Sequence, residues 1–148
     1  MVEITLSLGS NLGDKLQYLS SAVSTMLRDK IVTNVKLSPI YETKPILLAN
    51  SPKSWDVKAL HIVLKGNTDL LPAQLVKAIK EVEKKLGKKD RGRWAPREID
   101  IDVISVGEEI YLLEDVQIPH KFMLTKEWVF LPFIDVNPNW RYPVRGDY

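Results

Sequence analysis

Glu98-Ile99-Asp100-Ile101-Asp102-Val103-Ile104-Ser105 is the stretch on which the fold turns. Ile99, Ile101 and Val103 alternate with Asp100 and Asp102, the period of two expected of a strand with one apolar and one polar face. Toward the N-terminus, a polar, basic loop from Lys88 to Arg93 leads into it. Before that loop, Leu75, Ile79, Val82 and Leu86 recur at helical spacing. Pro72 suits the first turn of that helix, and Gly87 stands where its C-cap is expected. Lys58 to Lys65 is a nearly continuous apolar strand, preceded by a loop over Pro45 to Lys53. Val32 to Tyr41 is another strand, interrupted by Pro39, which marks an edge or a bulge. Leu16, Leu19, Val23, Met26 and Leu27 predict a first helix from Lys15 to Leu27. Val2 to Leu8 alternate cleanly as the first strand and end in Gly9-Ser10-Asn11-Leu12-Gly13.

Beyond the aspartate strand come a turn near Gly107, a short strand at Ile110 to Leu113 and an apolar piece ending Ile118-Pro119. Trp128, Leu131 and Ile134 then indicate a last short helix, kinked at Pro132. The order is β-α-β-β-α-β with a small C-terminal β/α addition. The expected class is α+β: a ferredoxin-like core, the split βαβ arrangement, in a three-layer α/β/α sandwich. The 148 residues suit one domain with a substantial core.

Composition excludes several chemistries. The chain has no cysteine, so disulfides, thiolate metal sites and cysteine nucleophiles are out. The apolar runs are too short for a membrane span, and the N-terminus is not a signal peptide, so a cytoplasmic location is expected. A net charge of +2 gives no general argument for nucleic-acid binding, but the charge is uneven. Between Lys77 and Arg97 stand nine Lys and Arg residues, next to the aspartate strand. A ferredoxin-like RNA-binding domain would carry exposed aromatics on its central strands. Val2 to Leu8 and Lys58 to Lys65 hold none.

Asp100 and Asp102, about 6.6 Å apart along a strand, can share a metal or hold two, with phosphate oxygens filling the remaining positions. Mg²⁺, which keeps its waters and uses few protein carboxylates, is the natural occupant. For an isolated Asp-x-Asp, the solvent face of a half-exposed strand is the commoner explanation. Arg93 and Arg97 shift the balance, because carboxylates beside guanidinium groups suit a metal–phosphate complex. Gly87-x4-Gly92 opens like a P-loop, but Arg93-Trp94 follows and a helix precedes, so that reading fails. The basic loop can still close over phosphates. Trp94 suits stacking on a flat heterocycle and equally anchoring the loop to the core. His61 lies partly buried on the third strand and needs a polar partner. Tyr41-Glu42-Thr43-Lys44-Pro45 can present backbone groups to a ligand or serve as an ordinary exit from a strand.

Taken in order, Gly9-Ser10-Asn11-Leu12-Gly13, Tyr41-x-Thr43-x-Pro45, Arg93-Trp94-x-Pro96-Arg97-x-Ile99-Asp100-Ile101-Asp102 and Ile118-Pro119-His120 resemble the 6-hydroxymethyl-7,8-dihydropterin pyrophosphokinases of folate synthesis. The resemblance covers nearly the whole chain. It implies transfer of pyrophosphate from ATP, the co-substrate, to the hydroxymethyl oxygen of 6-hydroxymethyl-7,8-dihydropterin, with release of AMP. It implies two Mg²⁺ ions held by Asp100 and Asp102, and ATP phosphates contacted by Arg97 and, from the other side, by His120. Glu83 matches a family acid near the nucleotide. Lys88 stands at the first usual Arg of the catalytic loop, and Lys89 or Arg91 at the second. Lys121 and Lys126 follow His120 as further basic positions for ATP. Thr43, Lys44 and Ile46 fall at the pterin pocket, Trp94 packs on the pterin or closes the loop over it, and Trp128 is the covering aromatic.

The chain also departs from the family pattern. His61 replaces a pterin-binding Asn, the loop from Gly87 to Trp94 is one residue short, and Asp115 replaces a common Arg. These substitutions raise a second expectation, a degenerate, non-catalytic partner domain. The end of the chain, Tyr142 to Tyr148, lacks the usual helical tail, which implies a trimmed chain or a domain of a longer polypeptide fused to dihydropteroate synthase. No side chain is an obvious strong base for the hydroxymethyl proton.

Overall fold

A computed structural model describes residues 1–45, 47, 49–92, 95–113 and 116–143. Ile46, Arg93, Trp94, Asp115 and the end of the chain from Val144 to Tyr148, named above, lie outside the described residues. The elements in chain order are β1 (Val2–Ser10), α1 (Lys15–Arg28), β2 (Thr33–Leu37), β3 (Tyr41–Thr43), a 3₁₀ turn (Lys53–Trp55), β4 (Ala59–Thr68) and α2 (Pro72–Lys85). β5 (Asp100–Val106), β6 (Tyr111–Leu112), β7 (Gln117–Ile118) and α3 (Glu127–Val136) follow. The main sheet runs β2-β4-β1-β5, every neighbouring pair antiparallel, with β3 also on β4. That is the split βαβ order expected from the sequence. β6 and β7 form a separate ribbon.

Pro39 explains the edge: the expected strand from Val32 to Tyr41 is two strands, β2 and β3, with Ser38, Pro39 and Ile40 between them. Both pair with β4, which is longer than the sequence indicated and reaches Thr68. Gly66 on β4 leaves room for the close pass of β2. A Cβ there would stand 2.6 Å from Val32 Cγ2 and 2.8 Å from the Thr33 carbonyl oxygen. At the other edge, β5 begins at Asp100 rather than at Glu98.

The alternation in β1 sorts its residues to two faces. Ile4, Leu6 and Leu8 join Leu19, Met26, Leu75, Ile79, Val82, Ile99 and Ile101 in the larger core beneath α1 and α2. Thr5 faces the other side, where its hydroxyl accepts a hydrogen bond from Asn137 Nδ2 at 2.9 Å. There Ile104, Met123, Val129 and Phe133 form a second, smaller core with Trp128 and Trp140 packed on it. The sheet thus lies between two helical layers. α3 forms as expected and runs through Pro132, but it buries Val129, Pro132, Phe133 and Val136, leaving Leu131 and Ile134 exposed. The spacing of Val129, Phe133 and Val136 defines its inner face. α1 is capped by Asp14, whose carboxylate accepts the Gln17 amide at 3.1 Å. No described helix is long and apolar enough to cross a membrane.

Candidate active site

Strand register assembles the site. Gly9 of β1 pairs with Asp100 on one side and His61 on the other, and His61 pairs with Tyr41 of β3. One step along, Ser7 lies between Asp102 and Val63. Asp100, Gly9 and His61 therefore form a row across the sheet, with no side chain at its centre. A Cβ on Gly9 would come within 3.0 Å of His61 Nδ1, so glycine is what admits the ring.

Two cavities of about 550 and 530 Å³ open on this row and share Arg97, Asp100, Asp102, His120 and Lys121. The first is walled by α2 through Val76, Ile79, Lys80 and Glu83, by Lys88, and by residues of the β6–β7 ribbon. The second is lined by Ser7, Gly9, Ser10, Asn11, Thr43, Lys44, Trp55, His61, Phe122, Lys126, Trp128 and Val129. Both are within the usual size range for ligand pockets.

Electrostatics divide the two aspartates. Lys88 Nζ donates to Asp100 Oδ1 at 2.6 Å and to Glu83 Oε2 at 2.9 Å, while Arg97 Nη1 reaches the Asp100 carboxylate at 3.1 Å. Local folding delivers Lys88 there. Gly87, at φ +92°, closes α2 in a Schellman turn, with Gly87 N–H to the Lys84 carbonyl and Lys88 N–H to the Glu83 carbonyl, both at 3.1 Å. Glu83 is buried, and its carboxylate also accepts the Ile101 amide of edge strand β5 at 2.8 Å. Burial pushes the Glu83 carboxyl above its ordinary range, opposed by the bonds from Lys88 and Ile101.

Asp102 has no hydrogen-bond or ion-pair partner among the described residues. Its side chain is open to solvent, yet it stands in the cleft beside the Asp100 charge. Crowding by the cleft and then that charge raise its pKa to about 6. A carboxylate that is costly to ionise and left unpaired suits a cation. The described residues offer no cluster of three or more acidic or histidine ligands, so a metal here would complete its shell with phosphate oxygens and waters. The donor set fits Mg²⁺ on those terms.

In the second cavity, His61 Nε2 and Thr43 Oγ1 are hydrogen-bonded at 2.8 Å, and the ring stacks on Trp128 at 5.9 Å. Burial lowers the His61 pKa to about 4, so the ring is neutral. The expected polar partner is thus Thr43. His120 follows the cis Ile118–Pro119 bond. Its backbone amide donates to the Ile104 carbonyl at 2.8 Å, and its Nδ1 accepts the Phe122 amide at 3.2 Å. Burial and the Lys121 charge lower its pKa. A neutral ring accepting at Nδ1 carries its proton on Nε2, a donor for an anion. Lys121 and Lys126 place their ammonium groups 5.0 and 5.6 Å from the Phe122 ring centre, and Lys126 also lies 5.1 Å from that of Trp128.

The cavities thus gather Thr43, Lys44, His61, Glu83, Lys88, Arg97, Asp100, Asp102, His120, Lys121, Lys126 and Trp128. Lys126, expected among the ATP contacts, lines the second cavity and not the first. Arg91 lines neither: its guanidinium forks onto Glu98 at 2.5 and 2.7 Å. Sequence reading took Glu98 as the start of a strand, whereas it is a buried anchor for the loop. In the sequence Asn11 is one residue of the turn and family motif Gly9-Ser10-Asn11-Leu12-Gly13, with no role of its own. Its Oδ1 accepts the Arg97 amide at 2.7 Å and its own amide donates to the Arg97 carbonyl at 3.2 Å, which fixes the backbone that carries Arg97. Trp55, which lines the second cavity, ends the 3₁₀ turn, and no sequence pattern marked it.

Comparison with known proteins agrees with the geometry. The model of the family 7,8-dihydro-6-hydroxymethylpterin-pyrophosphokinase (HPPK) matches residues 5–138. A 2-amino-4-hydroxy-6-hydroxymethyldihydropteridine pyrophosphokinase of Aquifex aeolicus is 34% identical over 97% of this chain and 86% of its own. A folate synthesis bifunctional protein of Chlamydia caviae is 41% identical over 80% of this chain, which spans only 26% of that relative. Among solved structures, Plasmodium falciparum HPPK-DHPS superposes with a TM-score of 0.71 at 13% identity, covering 99% of this chain and 39% of that one, a likeness of fold. With the family model, the Aquifex relative and the paired cavities in agreement, the chain belongs to the HPPK family, the ATP-dependent enzymes of folate biosynthesis that transfer pyrophosphate to hydroxymethyldihydropterin.

Proposed function

We propose that the first cavity takes ATP, the second takes the pterin, and the pyrophosphoryl group passes between them at Asp100 and Asp102. The observation that carries this reading is the meeting of the two cavities on those carboxylates. Asp100 and Asp102 would hold two Mg²⁺ ions, whose chemistry when bound is to neutralise the polyphosphate and polarise the β-phosphorus. Arg97, Lys88 and Lys121 supply positive charge around the phosphates, and the Nε2 proton of His120 serves as a donor to a phosphate oxygen. Phosphoryl-type transfer depends chiefly on positioning and electrostatics, which this arrangement provides. On the pterin side, Trp128, stacked on His61, lines the cavity. Thr43, Lys44 and the neutral His61 offer polar groups to the heterocycle's edge, with His61 in place of an amide. By family pattern Ile46 and Trp94 would contact the pterin, and Arg91 would contact ATP on leaving Glu98.

Residues 1–148 act as one pyrophosphokinase domain in the cytoplasm. Fusion to a dihydropteroate synthase domain is the arrangement supported by the bifunctional relatives. No observation in the cleft favours the non-catalytic alternative. The direct test is AMP release from ATP with 6-hydroxymethyl-7,8-dihydropterin and Mg²⁺. Folded protein that releases no pterin-dependent AMP rules the reading out.

A further inference from the structure

We propose that Lys88 is an internal counter-cation that occupies Asp100 until nucleotide arrives, so that the free protein resists divalent metal and takes it only together with ATP. The inference rests on the metal–phosphate reading of the cleft and adds a residue-level exchange to it. Lys88 Nζ lies 2.6 Å from Asp100 Oδ1, closer than to any other group recorded for it, and Arg97 Nη1 lies 3.1 Å from Oδ2. Asp100 is therefore already neutralised, while Asp102 is not. A metal entering alone would have to displace a charge-assisted hydrogen bond and leave the ammonium group facing the newly arrived cation. A nucleotide removes that conflict: its phosphates are anions to which Lys88 and Arg97 can turn as the metal takes Asp100.

Lys88 has a tether for such a move. Its amide is fixed by the Schellman turn, and its ammonium group keeps Glu83 Oε2 at 2.9 Å while it lets go of Asp100. Glu83 is itself held by the Ile101 amide, so the pivot stays in place. Lys88 is a positioning residue in this role, acting through the carboxylate it covers.

The test is Mn²⁺ binding followed by electron paramagnetic resonance and calorimetry, with and without a non-hydrolysable ATP analogue. Wild-type protein should bind Mn²⁺ weakly alone and tightly with the analogue. Lys88→Gln, which keeps a donor for Glu83 but no charge, should tighten Mn²⁺ binding alone by about tenfold, the scale of a close charge pair. With the analogue present the gain should vanish or reverse. Lys88→Met serves as a second variant, and circular dichroism checks that each is folded. Equal Mn²⁺ affinity of wild type and both folded variants in the absence of nucleotide overturns the proposal. AMP release measured in parallel separates it from the functional reading: an active enzyme with no Lys88 effect on metal binding refutes the exchange alone.

Discussion

At the scale of single residues, Asp102 carries a conflict between stability and function. Its folded pKa of about 6 lies above its ordinary value of 3.8. Between those values the folded chain holds a proton that the unfolded chain has released. Stability of the metal-free protein therefore falls as pH rises from about 4 to about 6, and the loss persists at neutral pH. Asp102→Asn removes that loss. We expect a higher Tm than wild type at pH 7 without metal, a difference that disappears near pH 4, together with abolished AMP release. A variant that melts at or below the wild-type temperature at pH 7 contradicts this account. Function has the opposite dependence, since only the ionised carboxylate can ligate a cation. Divalent-metal affinity in the presence of nucleotide should fall as pH drops below about 6 and level off above it, a profile that calorimetry reads directly. Gly9 acts by absence: Gly9→Ala should push against His61 and weaken pterin binding while the fold persists, because the nearest atoms are the tip of a side chain.

At the scale of elements, the loop between α2 and β5 is tied down by Glu98. Arg91 holds the Glu98 carboxyl down at about 2, against an ordinary 4.5, with help from backbone amides that include Lys89. A depressed carboxyl stabilises the fold above its unfolded pKa and loses that contribution as pH falls from about 4.5 to about 2. Glu98→Gln should therefore lower the Tm at pH 7 but leave it nearly unchanged near pH 2, and a constant difference across that range would refute the pairing. Most elements were legible because their signals are local. Period-two alternation marked β1 and β5, Pro72 and Gly87 bracketed α2, and Pro39 marked an irregularity in the stretch that forms β2 and β3. Lys88 entered only through the family resemblance, whereas the aspartates and Arg97 were legible as a charge cluster suited to metal and phosphate. Contacts across sequence were not: nothing local links Glu98 to Arg91, Asn11 to Arg97, or Glu83 to the Ile101 amide. The inner face of α3 was also missed. Its helix is apolar nearly all round, so residue spacing alone cannot choose the face that packs on the sheet.

At the scale of the whole molecule, the sheet separates two cores, and each core supports one side of the cleft. α2 and β5, packed in the larger core, wall the first cavity. α3, held by the smaller core, brings Trp128 and Val129 to the second. Phe133 is the central prop of that smaller core: it is 2% exposed and meets Trp140 edge-on at 5.0 Å. Phe133→Ala removes most of this contact and should destabilise the protein by about 3–5 kcal/mol, the usual cost of emptying an aromatic core position. The damage should also be directional. α3 is tied to β3 through the hydrogen bond of Tyr41 to Asp135, and to β1 through Asn137 and Thr5. Loosening it disturbs the wall that carries Trp128 and the stacked His61, while the bonds of Lys88 to Glu83 and Asp100 involve no residue of α3. Calorimetry well below the melting transition should show pterin binding weakened several-fold and ATP-analogue binding changed much less. Equal losses for both ligands would mean that the two cavities are not supported separately, and that the sheet transmits damage from either core to the whole cleft.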